Sequence, residues 1–393
     1  MKLETSSFSG AKSNEMQGKP EKLEHPFLDA AADLSSRYIE DAKAQGKKVI
    51  GYSCSYIPRE LLDTANLVPY RMRAPYNTVP DQADAYLNMV NCSFIRCVLE
   101  AMFDERLDFL DGYVFTASCD HLRRLYDNVR YLFKPKLCHI LDVPHKTHDD
   151  AAAWLAEEFE LLRKNIGSSM SVKLDDEGLS ESISRTNEVR KILGRIQELR
   201  KRAIPALTGE EMQRIMVAIH SVSSEVAIKE LADLYARLEE REISKKYRAR
   251  LLLMGSHMDD PAYIAAMEEM GGLVVADTFC VGSVHFSDPV DEDAAPIQAL
   301  SRRYLRKMAC PRMFEAFEDR YRRVVNTARE YQVDGIVLET MKFCDTWGID
   351  AVAFMEALRE DGFEVLRLER EYTRGGVGQL RTRVQAFIEM LEK

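Results

Sequence analysis

Asp111-Gly-Tyr-Val-Phe-Thr-Ala-Ser-Cys119-Asp120 and, far along the chain, Asp334-Gly-Ile-Val-Leu-Glu-Thr-Met-Lys-Phe-Cys344-Asp345 follow one plan. Each opens with an Asp-Gly turn, runs through a short apolar stretch rich in β-branched or aromatic residues, and reaches a cysteine just past its end. Such a stretch reads as a parallel strand buried on both faces. The cysteine then stands at the carboxyl edge of the sheet, where open α/β sheets bind their ligands. A chain that puts a thiol there twice is expected to hold something between two related halves.

Working outward from these segments, strand patterns recur in the same order on either side of a helical middle. Residues 49–53, 67–72, 113–116 and 136–141 read as strands of a first half, with helical patterns at 26–45, 59–66 and 93–104. Residues 250–256, 272–277, 335–338 and 363–368 read as strands of a second half. Between them, 151–165, 181–203 and 209–240 carry long Glu/Lys/Arg/Leu/Ala patterns without a strand signal, jointed at Pro205 and Gly209. This rhythm predicts an α/β fold class, with two similar Rossmann- or flavodoxin-like domains, parallel sheets and a helical connector. The expected divisions are a flexible leader over 1–23, a first α/β domain over 24–148, a helical connector or cap over 149–248 and a second α/β domain over 249–393.

A chain of 393 residues exceeds what one ordinary core organises, in keeping with two units. Its 64 acidic and 54 basic residues leave a formal net charge of -10. That balance argues against a nucleic-acid partner and against adsorption to an anionic membrane, so a small substrate is expected. No apolar run approaches the roughly 20 residues of a spanning helix, and the first residues lack an apolar signal core. The expected location is therefore cytoplasmic, where eight cysteines read as buried thiols or metal ligands rather than disulfides. No CxxC pair and no HExxH occurs, so zinc-ribbon, thioredoxin and zincin sites are not indicated.

Position relative to the strands sorts the cysteines. Cys119 and Cys344 each follow a strand and precede an Asp and a helix start, a setting that favours the thiolate. Cys92 and Cys97 are five residues apart, offset by roughly 140 degrees on a helix, so one of them is expected at the crevice. Cys92, at the mouth of the helix, is the better placed; Cys97, beside Val98 and Leu99, reads as core. Cys54 and Cys280 also end strands and could face the same crevice, while Cys138 and Cys310 read as buried structure. The ligand this inventory suggests is an iron–sulfur cluster, held by four cysteines or by three with one open iron, which can act as a Lewis acid as well as pass an electron.

His121 and His257 are candidate proton donors at the crevice, each also readable as hydrogen-bonded structure. Arg123 and Arg124, one helical turn after Cys119, and Arg374 in the loop Arg374-Gly-Gly-Val-Gly-Gln379 are candidates for substrate phosphate. Their plainer readings are a solvated helix face and a turn.

With these residues in hand, the chain resembles the iron–sulfur, D-component-like subunits of the 2-hydroxyacyl-CoA dehydratase and benzoyl-CoA reductase family. The resemblance runs through Gly51-Tyr-Ser-Cys-Ser-Tyr-Ile-Pro-Arg-Glu-Leu-Leu62, Leu67-Val-Pro-Tyr-Arg71, Cys92-Ser-Phe-Ile-Arg-Cys97, Leu107-Asp-Phe-Leu-Asp-Gly112, Ser118-Cys-Asp-His-Leu-Arg-Arg124, Cys344-Asp345 and Gly378-Gln-Leu-Arg-Thr-Arg-Val-Gln-Ala-Phe-Ile-Glu389. It covers most of residues 47–393. It implies two α/β domains clasping a 4Fe-4S cluster on Cys92, Cys119 and Cys344, with one iron position open and Cys54 at a motif position not used as a ligand.

The resemblance also implies a CoA thioester substrate, a related second subunit or self-pairing, and a separate ATP-hydrolysing iron–sulfur activator that delivers a low-potential electron. The implied reaction forms a ketyl radical on the thioester, which expels the α-hydroxyl and acidifies the β proton, so that water is eliminated. Reduction of an aromatic ring held as a CoA thioester, and reduction of small molecules on a double-cubane cluster, are the alternatives within the family. A non-catalytic electron-transfer subunit and a metal-free binding protein are the alternatives of another class.

Overall fold

The computed structural model describes residues 22–64, 66–75, 79–307, 310–373 and 375–393. Strands β1 (Lys48–Tyr52), β2 (Leu67–Arg71), β3 (Gly112–Thr116) and β4 (Cys138–Leu141) form one four-stranded parallel sheet in the order β2-β1-β3-β4. Strands β5 (Ala249–Gly255), β6 (Gly272–Asp277), β7 (Gly335–Met341) and β8 (Val365–Arg370) form a second in the order β6-β5-β7-β8. The two orders are the same once the strands of each half are counted from its first, as the repeated segments predicted.

The Asp-Gly turns set the register of both sheets in the same way. Asp111 donates its amide to the Val49 carbonyl (2.8 Å) and accepts the Val49 amide on its carboxylate (2.7 Å). Asp334 exchanges the same two bonds with Arg250, again at 2.8 and 2.7 Å. The following glycines are needed for close approach: a Cβ on Gly112 would lie 2.7 Å from Leu137, and one on Gly335 would lie 2.7 Å from Phe387. Every residue of β3 and β7 is buried. Each of their large apolar side chains gains roughly 1.5–3 kcal/mol by leaving water, while buried Glu339 of β7 is paired with Arg370.

Four helices occupy the middle of the chain: Asp149–Met170, Asp176–Arg200, Gly209–Ile219 and Ser224–Leu238. The pattern read over 209–240 is therefore two helices, because Ser223 accepts the Val226 amide and starts the second. The pattern over 26–45 likewise divides, into a 3₁₀ turn Pro26–Ala31 and a helix Arg37–Ala44. Serine competes for backbone bonds and favours such breaks over helix interiors. The helix read over 59–66 stops at Leu62, where the Asp63 carboxylate turns to Arg59 (3.2 Å) and to the Ser224 amide (2.7 Å).

These helices pin the two sheets to one another through buried polar groups. Arg59 donates to the Ile219 and Val222 carbonyls, Arg190 pairs with Glu60, and Arg200 donates to the Val274 carbonyl. Glu268 accepts the Gly209 amide at 2.7 Å. Among the described residues, no helix is long and apolar enough to cross a membrane.

Candidate metal centre

One cavity of about 120 Å³ collects the carboxyl edges of both sheets. Six cysteines line it: Cys54, Cys92, Cys119, Cys280, Cys310 and Cys344. Cys54 follows β1, Cys119 follows β3, Cys280 follows β6 and Cys344 follows β7, while Arg71 closes β2 at the same wall. All six are free thiols. Among the described residues no three His, Cys, Asp or Glu side chains converge closely enough to hold a single metal ion.

Three of these cysteines share one local design. Cys92, Cys119 and Cys344 are the N-cap residues of the helices Ser93–Phe103, Asp120–Leu132 and Asp345–Glu360. The free amides and positive end of a helix stabilise a thiolate there. Burial pushes the Cys92 thiol up to about 12, against the pull of the Ile95 and Phe94 amides. Burial also raises Cys119, whose neighbours Cys92 and Cys344 add to the effect while the Leu122 amide opposes it. Thiols held so far above neutrality are protonated when bare, and ligation to iron would release their protons.

His121 ties this set together. Its Nδ1 accepts the Cys92 amide at 3.2 Å, which places the ring proton of the neutral imidazole on Nε2, 3.5 Å from the Asp345 carboxylate. His257 stacks on Phe94 with ring centroids 4.2 Å apart, and its Nε2 stands 3.2 Å from Asp259. Burial lowers the His257 pKa, so the ring is neutral at pH 7. Tyr372 closes this wall by donating its hydroxyl to Asp259 (2.6 Å) and its amide to Ser93 (2.7 Å).

Cys54, Cys280 and Cys310 are placed differently, in loops without a long helix behind them. The Cys54 carbonyl accepts the Ile57 amide, and the Cys310 carbonyl accepts the Met313 amide at 3.0 Å. Ser55 donates its hydroxyl to the Cys280 carbonyl and accepts Arg71 Nη1 at 2.6 Å. Burial raises the thiols of both Cys280 and Cys310, and a charge on Cys54 adds to the rise in each.

The remaining sequence candidates lie elsewhere. Arg123 and Arg124 are on the exposed face of their helix, where Arg124 pairs with Asp120 (3.3 Å) and Asp127 (3.9 Å); neither lines the cavity. Arg374 falls outside the described residues. Cys97 is fully buried in the core of the first half and Cys138 is partly buried within β4. Cys310, read as buried structure from its proline neighbour, lines the cavity instead and, like Cys54, packs against the core cluster that holds Ile50 and Tyr52. Sequence reading did not single out Arg71, Asp259 or Tyr372. Arg71 was within reach of that reading, since it ends a strand at the ligand edge of the sheet.

A family profile described as "2-hydroxyglutaryl-CoA dehydratase, D-component" matches residues 54–391. The chain belongs to this family. All six cavity cysteines of this D-component chain lie within the matched segment. Similar proteins include a "Putative dehydratase subunit YjiM" of Escherichia coli, 27% identical over 90% of this chain and 94% of that protein. A benzoyl-CoA reductase subunit of Thauera aromatica is 23% identical over 88% of this chain and 91% of that protein. The "(R)-phenyllactyl-CoA dehydratase beta subunit" of Clostridium sporogenes is 22% identical over 94% and 99%.

Proposed function

We propose that this D-component chain binds iron–sulfur cluster iron through all six cavity thiols, in the manner of the family's double-cubane members, and catalyses a low-potential reduction of a small molecule. The observation that carries the reading is the convergence of Cys54, Cys92, Cys119, Cys280, Cys310 and Cys344 on one buried cavity. Three ligands suffice for one cubane with an open iron, so a single cluster on Cys92, Cys119 and Cys344 would leave three further partly buried thiols at the same wall without a task. When bound, such a cluster supplies electrons near the low end of the biological potential range and an iron position that can meet substrate. The chain's own part is to hold the thiols, exclude water and supply protons. His121 and His257, both within the cavity lining, are the groups proposed for proton delivery. The electron source proposed is an ATP-hydrolysing iron–sulfur activator.

A second reading keeps the chemistry at a CoA thioester, as water elimination from a 2-hydroxyacyl-CoA or as ring reduction. The names of the dehydratase beta subunit and of the benzoyl-CoA reductase subunit support it, and with it a partner subunit related to this chain. An anaerobic assay with activator and ATP separates the two readings. Turnover of small reducible molecules, with no change in the reduced protein's EPR spectrum on adding 2-hydroxyacyl-CoA or benzoyl-CoA, is the expected result. Water elimination or ring reduction, with a perturbed spectrum, would establish the second reading in its place.

A further inference from the structure

Arg71 ends β2 with its side chain in the lining of the cysteine cavity, and only 3% of its surface is exposed. Its guanidinium has no carboxylate within ion-pair distance among the described residues. Most other buried arginines do: Arg59 has Asp63, Arg190 has Glu60, Arg200 has Asp277, Arg320 has Asp350 and Arg370 has Glu339. Arg303 and Arg312 also lack one, but each is held by three backbone carbonyls, those of His285, Ser287 and Asp288 for the first and of Ala117, Val143 and Pro144 for the second. Arg73 donates to the Ala30 and Asp33 carbonyls and lies outside the cavity lining. Arg71 donates from Nη1 to Ser55, and its guanidinium opposes the rise that burial imposes on the Cys280 thiol.

A buried guanidinium without a counter-charge is disfavoured by the water it has lost. The Tyr52 ring, 5.5 Å from the guanidinium carbon, offsets part of that. A stronger anion is required, and the neighbours able to become one are the cavity thiols, with Cys280 next to Ser55. Its counterpart on the other side of the cavity is helical: Cys92, Cys119 and Cys344 each have a long helix N-terminus, whereas Cys54, Cys280 and Cys310 have none. The helix Ser283–Phe286, which follows Cys280, has four residues.

We infer that Arg71 is the positioning residue that supplies counter-charge at Cys280, on the side of the cavity where no long helix N-terminus serves the thiols. The inference rests on the six-thiol reading. A cation at this point favours the more negative, reduced state of whatever iron those thiols bind, so it raises the midpoint potential there. Arg71→Gln keeps a donor for Ser55 without the charge, and Arg71→Lys keeps the charge without the planar fork.

The test is EPR-monitored redox titration of anaerobically reconstituted wild type, Arg71→Gln and Arg71→Lys, with iron counted in each and folding followed by circular dichroism. The Gln variant is expected to titrate more negative by at least a tenfold change in the one-electron equilibrium, about 59 mV, or to lose about half its iron, with Lys restoring both. Gln and Lys variants that match wild type, or that shift equally while folded, overturn the inference. Should the Gln variant fail to fold, a Lys variant with wild-type iron and potential upholds the charge assignment, and one that has lost either overturns it. Wild type that binds about four irons, with none lost on Cys280→Ser, brings down the six-thiol reading itself and the inference with it.

Discussion

The two sides of the cysteine cavity solve one electrostatic problem by different means. Cys92, Cys119 and Cys344 cap long helices, so their charge compensation is part of the βα architecture itself. Cys54, Cys280 and Cys310 sit in loops, where the fixed cations are buried side chains, Arg71 beside Cys280 and Arg312 toward Cys54 and Cys310. The difference teaches where each side is fragile. The helical side depends on the register of two sheets and on packing between the halves. The loop side depends on a few side chains and so can be changed without disturbing the fold.

Breaking the helical side is expected to have the largest effect. Replacing Cys92, Cys119 and Cys344 together by serine should remove about half the iron and lower activator-dependent turnover by at least about 100-fold, while circular dichroism stays that of the wild type. Iron that stays at the wild-type level would dissolve the distinction between the sides.

The wall behind Cys92 gives a sharper, pH-dependent contrast. Burial by itself would raise the Asp259 carboxyl, but His257, Tyr372 and Arg73 together carry it from 3.8 down to about 2. A carboxyl depressed on folding adds stability that is present above its unfolded value and is lost as pH falls through its folded value. Wild type should therefore lose about 2 kcal/mol between pH 4 and pH 2 that Asp259→Asn does not lose, as read by urea unfolding of the metal-free chain. Equal pH slopes for the two proteins would contradict the assignment.

Tyr372→Phe probes the same wall more gently. Losing the hydroxyl that Asp259 accepts and that the Ala74 amide donates to should cost about 1–2 kcal/mol, with the EPR signal of the helical side broadened and that of the loop side unchanged. Arg124→Ala, on the exposed helix face after Cys119, is expected to change stability by less than about 0.5 kcal/mol and iron content not at all. A loss of iron there would return Arg124 to the site.

The repeated Asp-Gly–strand–Cys segments were legible in the sequence because strand burial, turn and thiol lie within a dozen residues of one another, and the structure builds the two sheets in the same strand order from them. The helix-capping places of Cys92, Cys119 and Cys344 were readable for the same reason. Cys310 was not, since nothing near it in sequence tells that it reaches the cavity built by the ends of distant strands. Arg71 was missed because an arginine closing a strand says nothing of its missing partner until the other half of the chain is folded against it. Tyr372 meets Ser93 and Phe94, and bonds Asp259, only across the joint between the halves, a contact that local pattern cannot carry. The breaks at Ser36 and Ser223 were local signals that a long helical pattern obscured.

The most direct measurement counts iron and acid-labile sulfide per chain in strictly anaerobic, reconstituted protein, for wild type beside the Cys54/Cys280/Cys310→Ser variant. Six working thiols predict about eight irons in wild type and about four in the variant, with the low-temperature EPR of the reduced forms differing accordingly. About four irons in both would confine the cluster to Cys92, Cys119 and Cys344, and no iron in either would leave all six cysteines as residues of the core.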